Sequence, residues 1–214
     1  MQEDFWQSLW AEGRTHFHEA HPNGFLTAHF GALRLAPGAH VFVPLCGKTV
    51  DLDWLLAQGH QVSGIEFNRG AVDAVFERLG MVPEVSDVRG LTRFKGAGIT
   101  LWQGDVFALQ AADLGVVDAV YDRAALVALP APMRPRYAAH LQEITKNAAQ
   151  LLVSFDYGEG RTDGPPFSVP EADIRTYYDA THDMKVLQSV PIQGRLADRC
   201  DGFEQTWLLS PKTR

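Results

Sequence analysis

Four short stretches hold the side chains of this chain best suited to binding or reaction. Leu45-Cys46-Gly47-Lys48 follows the apolar run Val41-Phe42-Val43-Pro44, so a turn containing glycine comes off the end of a buried strand. Glu66 closes a second apolar run about twenty residues later, the position from which an acid in an α/β nucleoside site accepts hydrogen bonds from the ribose hydroxyls. A carboxylate suits that task because its two oxygens serve two donors at once, where an amide offers one acceptor oxygen. Asp122-Arg123 ends a third run, and the planar Arg123 fork there could hold a cofactor carboxylate or orient an anionic substrate. The alternative is an internal Asp122–Arg123 network that ties the strand end to the N-terminal segment. His16, His18 and His21 crowd together without the spacing of a His-Glu-x-x-His pair, so no metal site is expected.

The first turn admits three chemistries. Gly47-Lys48-Thr49 ends like a phosphate loop, but Phe42 stands where that pattern needs its first glycine. A dinucleotide turn needs three spaced glycines, and only Gly47 is available. A pyrophosphate ligand, and with it a nicotinamide dehydrogenase, is disfavoured, which leaves a nucleoside without phosphates. Cys46 near a helix start could be a nucleophile, yet no histidine lies nearby in sequence, so it reads as a buried, inert thiol.

These residues need strands and helices to position them. Val41 to Leu45 reads as a strand, Val50 to Gln58 as a helix stopped by Gly59, Gln61 to Phe67 as a strand, and the residues after Asn68 as a capped helix ending at Gly80. Pro83 to Gly98 is polar and rich in breakers, so it is expected to be a connection. Ile99 to Trp102, Val116 to Tyr121 and Gln150 to Tyr157 read as strands, Arg136 to Lys146 as a helix that tolerates Pro135 at its start, and Gly158 to Pro166 as a Gly/Pro loop. Glu171 to Tyr178 follows as a helix, with Met184 to Ser189 and Phe203 to Ser210 as further strands. Strands alternating with helices predict an α/β fold with a parallel sheet covered on both faces. Phe5, Trp6, Leu9, Trp10, Phe17, Phe25, Leu26 and Phe30 belong to no strand and suggest an apolar arm across the ligand edge.

With 214 residues, the chain is expected to be one domain over 1–214, its arm being residues 1–36. It carries 19 Lys and Arg against 26 Asp and Glu, a net charge of −7 with no basic block, so neither nucleic acid nor an anionic membrane is expected as a partner. The acidic opening Met1 to Trp6 lacks a secretory signal, and two unpaired cysteines fit a reduced, cytoplasmic setting. A closed arm suggests a monomer.

Phe5-Trp6, Trp10, Phe17-His18, the Val41 to Lys48 turn, Gly59-His60, Gly64-Ile65-Glu66, Asp122 to Ala128 and Gly164 to Pro170 together resemble the thiopurine S-methyltransferase family, over nearly the whole chain. The resemblance implies the class I S-adenosylmethionine-dependent methyltransferase fold, a seven-stranded, mostly parallel sheet whose last strands add an antiparallel hairpin. It implies S-adenosylmethionine as cofactor and a small thiol, or a selenium or tellurium species, as methyl acceptor. Trp10 would cover the cofactor, Leu45 and Gly47 would line its methionine side, Glu66 would hold the ribose, and Asp105 with Val106 would bracket the adenine. Arg123 would sit between cofactor and acceptor as the catalytic residue, with Phe17, Pro165 and Pro166 walling the acceptor pocket. A second basic residue near the C-terminus has two candidates, Arg195 and Arg199. A binding or regulatory module of the same fold without catalysis is the alternative.

Overall fold

The computed structural model describes residues 19–158, 162 and 164–213. Its centre is five parallel strands: β1 (His40–Pro44), β2 (Gln61–Glu66), β5 (Ile99–Gln103), β6 (Ala119–Arg123) and β7 (Ala149–Tyr157). β8 (His182–Pro191) and β9 (Gly202–Pro211) extend it antiparallel, β9 lying against β7. The expected seven-stranded sheet is thus present, in the order β5-β2-β1-β6-β7-β9-β8. It is longer by two, because β3 (Glu84–Val88) and β4 (Leu91–Gly96) form a hairpin that pairs with β5. The connection expected over Pro83 to Gly98 is therefore corrected. The hairpin escapes a periodicity reading because it is an outer edge: β3 buries no residue fully, and β4 buries only Leu91 and Phe94.

Helices cover both faces because each parallel step needs a crossover. Helix α1 (Gly24–His29), α2 (Asp51–Ala57) and α3 (Arg69–Arg78) bury Leu26, Leu52, Leu55, Val72, Val75 and Phe76 in one cluster with Val41, Val43 and Tyr121. A short α4 (Ala111–Leu114), α5 (Arg134–Thr145) and α6 (Glu171–Tyr178) build the other, around Phe42, Val120, Leu141, Leu152 and Trp207. Helix α7 (Gly194–Ala197) lies between β8 and β9. The element starts follow local chemistry: Asn68 accepts from the Ala71 N–H, and Gly59 and Gly80 stop α2 and α3 at φ 85 and φ 64. Pro135 lies in the first turn of α5, where its missing N–H costs no helical bond.

Within 19–36, α1 and the 3-10 turn Phe30–Leu33 pack on the first face, with Phe30 edge-on to Trp54 and His60, so Leu26 and Phe30, expected in an arm across the ligand edge, are core residues instead. Asn23 joins this segment to the site by donating its N–H to Asp51, which also accepts from the Tyr121 hydroxyl. No helix among the described residues is long and apolar enough to cross a membrane.

Candidate active site

The chain order reverses between β1 and β6: β2 and β5 lie on one side of β1, and β6 and β7 on the other. Loops diverge at such a point and leave a crevice beyond the carboxyl ends. The turn after β1 enters it with Leu45 at φ 45 and Gly47 at φ 53, both in the left-handed region. Leu45 bears a side chain there, which is strain that the surrounding bonds must over-determine. Those bonds are present: the Cys46 N–H donates to the Ile65 carbonyl at 3.0 Å, and the Gly47 N–H donates to Glu66 Oε2 at 2.9 Å.

Glu66 is 7% exposed, and the Asn68 N–H donates to its other oxygen at 2.7 Å. Burial pushes its carboxyl above the usual range, against backbone N–H groups of Asn68, Gly47 and Phe67 that favour the ionised form. With one N–H on each oxygen, a carboxylate keeps acceptor capacity on both, which matches two neighbouring hydroxyl donors. A vicinal diol such as that of a ribose therefore fits the acceptor oxygens at this strand end. Cys46 is buried behind the turn, and desolvation, reinforced by Glu66, holds its thiol well above the usual range, so it stays protonated and is no nucleophile.

Beyond β5, the Gly104 N–H donates to the Glu66 carbonyl, and Asp105 caps a 3-10 turn by accepting from the Phe107 N–H. Asp105 is exposed, whereas the Val106 side chain is 1% exposed and belongs to the core. Val106 can therefore offer a ring its backbone, but not its isopropyl face.

At the end of β6 the adjacent Asp122 and Arg123 serve opposite faces. Asp122 is fully buried, accepting from the Tyr137 hydroxyl at 2.8 Å and the Leu126 N–H at 3.0 Å, and burial raises its carboxyl to about 6. It fixes the turn after Arg123, in which Ala124 takes φ 60. Arg123 instead pairs with Glu19, ahead of α1. The contact between strand end and N-terminal segment is thus made by Arg123 with Glu19, rather than by an Asp122–Arg123 pair.

Pro165 and Pro166 are half-buried in the loop after β7. The Tyr157 hydroxyl donates to the Pro166 carbonyl, the Phe167 N–H to Val127, and the buried Arg134 holds Ser168 at 2.9 Å. Arg199 contacts Thr162 of this loop, while Arg195 sits in α7; Arg199 is thus the one of the two seen to reach it. Trp10 and Phe17 lie outside the described residues. Sequence reasoning passed over Glu19, Asp51 and Glu204. Glu204 alone carried a signal, a lone acid inside the apolar pattern of the last strand.

Along the carboxyl edge, the described positions run Asp105 and Val106 after β5, Glu66 on β2, Leu45 and Gly47 after β1, Arg123 on β6, then Pro165 and Pro166 after β7. Comparison with known proteins gives the family. Residues 1–204 match the family model described as Thiopurine S-methyltransferase (TPMT). A thiopurine S-methyltransferase of Xanthobacter autotrophicus is 50% identical over 98% of this chain and 99% of its own length, and one of Teredinibacter turnerae is 44% identical over 98% of each. In fold, the chain is similar to a Burkholderia thailandensis 1,6-didemethyltoxoflavin-N1-methyltransferase solved with 1,6-didemethyltoxoflavin and S-adenosylhomocysteine, with TM-score 0.63, 16% identity, and coverage of 97% of this chain and 87% of that one. A TehB-like SAM-dependent methyltransferase of Corynebacterium glutamicum gives TM-score 0.57 at 14% identity, covering 98% and 95%. The chain therefore belongs to the thiopurine S-methyltransferase family, enzymes of S-adenosylmethionine-dependent methyl transfer.

Proposed function

We propose that the protein transfers a methyl group from S-adenosylmethionine to the sulfur of thiopurines and other heteroaromatic thiols, or to a selenium or tellurium species of similar charge. The observation that carries this is the order of positions along the edge. A nucleoside gripped by Glu66 has the Asp105 turn on its adenine side and the Gly47 turn on its methionine side, and the next position along is Arg123.

The cofactor supplies an electrophilic methyl on a cationic sulfur, and the reaction consumes that charge. The chain's own task is to hold an acceptor in line at near-attack distance, roughly 3–3.5 Å. Glu66 anchors the sugar, with the Gly47 and Asn68 amides fixing its rotamer. Arg123 steers an anionic acceptor by charge and does not remove a proton, because guanidinium stays protonated. The loop with Pro165 and Pro166, held by Tyr157 and Arg134, walls the acceptor side together with Phe17. Trp10, from the part of the arm ahead of α1, excludes water from the reacting centre. The enzyme acts as a cytoplasmic monomer in this reading, in keeping with its two free, buried cysteines.

Incubation with methyl-labelled S-adenosylmethionine and a panel of thiopurines, thiophenols, selenols, selenite and tellurite tests the proposal. Label transferred to at least one member, with S-adenosylhomocysteine formed in equal amount, is expected. Binding of the cofactor without transfer to any of them favours the binding module instead.

A further inference from the structure

Glu204 is a half-buried acid on β9 that the reading above does not use. It pairs with Phe155 of β7 and Val190 of β8. Arg123 pairs with Val153, which pairs with Thr206. Side chains alternate between faces along a strand, so Glu204, two residues from Thr206, extends from the same face as Arg123, one step nearer the carboxyl edge. Two strand spacings of roughly 4.8 Å and one step along the strand of roughly 6.6 Å separate them, within the combined reach of a glutamate and an arginine. Among the described residues, the charged groups acting on Glu204 are Arg123 from β6, which favours its ionised form, and Glu19 from the segment before α1, which opposes it. Its register partners on β7 and β8, Phe155 and Val190, carry no charge, and His29 of α1 is engaged with Gln188. One guanidinium thus pairs with Glu19 and acts on Glu204 at the place where the acceptor is to dock.

We infer that Glu204 is a positioning residue that couples acceptor binding to proton uptake: an anionic acceptor docking on Arg123 is matched by a proton taken from solvent onto the Glu204 carboxylate. Burial already brings that carboxyl up to about 7 in the free protein, and each further negative charge beside it favours the protonated form. An acceptor anion adds one such charge and draws on the cation that had stabilised Glu204. Thermodynamic linkage then requires acceptor affinity to fall as pH rises past the free-protein value, by at most about tenfold per pH unit. The inference rests on the acceptor site proposed above.

The test is kcat/KM for a heteroaromatic thiol at saturating S-adenosylmethionine, from about pH 6 to about pH 9, in the native protein and in Glu204→Gln, a neutral mimic of the protonated acid. Taking the ratio of the two enzymes at each pH cancels the ionisation of the acceptor itself. The ratio is expected to be near one at about pH 6 and to favour the variant increasingly above about pH 7, approaching tenfold per unit, with cofactor affinity unchanged. A ratio constant across pH, or a loss that is uniform with pH, as a purely structural role would give, overturns the inference. Should the Gln variant misfold, Glu204→Asp keeps a titrating group, and the break must then persist at a displaced pH; its disappearance also overturns the inference. Methylation with a flat ratio removes only the coupling, whereas no methylation of any acceptor removes the site on which it rests.

Discussion

In the proposed reading Glu66 and Arg123 divide the chemistry of the edge between them, and they do so by environment. Glu66 is held rigid and nearly dry, with an amide on each oxygen, so its remaining acceptor capacity is aimed before any sugar arrives. Replacing it by alanine removes two charge-assisted hydrogen bonds, on the order of 3 kcal/mol in total, and is expected to weaken S-adenosylhomocysteine binding about a hundredfold. Titration calorimetry on the folded variant measures this, and unchanged affinity contradicts the assignment. Arg123 is partly exposed and pairs with Glu19. Arg123→Lys keeps the charge but loses the planar fork, so kcat/KM for the acceptor is expected to fall about tenfold while cofactor affinity stays within twofold. An equal loss in both would mean that Arg123 serves the cofactor instead. The place of Glu66 was legible in the sequence because it depends on a strand end and a fixed spacing. Glu19 was not, because its meeting with Arg123 is made by tertiary structure across 104 positions, which no local pattern encodes.

The elements make these placements possible, among them the close parallel pairing of β1 and β2. Val43 pairs with Gly64, and a Cβ added at Gly64 would lie 2.9 Å from Cys46 Sγ, 2.9 Å from a Leu101 methyl and 3.1 Å from the Val43 carbonyl. Glycine here lets the turn after β1 fold back onto β2, so that the Gly47 amide reaches Glu66 two residues further along. Gly64→Ala overpacks a site with backbone on one side, and a loss of about 1–3 kcal/mol is expected in denaturant unfolding. It should also weaken cofactor binding by displacing Glu66 without touching it. Full stability with wild-type affinity would show that the packing gives way more readily than the distances imply. The sequence displayed this layer well wherever burial enforced a pattern. β1, β2, β5, β6 and β7 are apolar because both faces are covered. The start of β6 is the exception: the strand expected from Val116 begins at Ala119, since Val116 is 78% exposed and lies before the pairing with β1. β3 and β4 were hidden for the same reason, because a solvent edge demands charge and polarity rather than alternation.

For the molecule as a whole, the carboxyl edge collects acids that burial disfavours. Glu66 is pushed up, Asp122 reaches about 6 and Glu204 about 7. A carboxyl group whose folded value exceeds its unfolded one binds more protons in the native state, so its contribution to stability is largest in acid and is lost as pH rises. For fully buried Asp122 the window runs from its ordinary 3.8 to about 6, and the loss above it is about 3 kcal/mol. His182 works the other way, because burial lowers its pKa and its contribution is lost as pH falls. The native protein's own profile therefore mixes both signs, and the informative quantity is a difference between variants. Asp122→Asn removes one titration and keeps the geometry: the amide oxygen still accepts from the Leu126 N–H, and the Tyr137 hydroxyl can turn to accept from the amide nitrogen. The unfolding free energy of the variant minus that of the native protein is expected to rise by about 2–3 kcal/mol between about pH 4 and pH 6.5, then level off. Parallel stability curves in denaturant across that range would mean that Asp122 titrates as an ordinary surface acid. A rise would show that the turn after Arg123 is held by an ionised group the fold itself disfavours, a cost retained because the carboxylate fixes the backbone at this strand end.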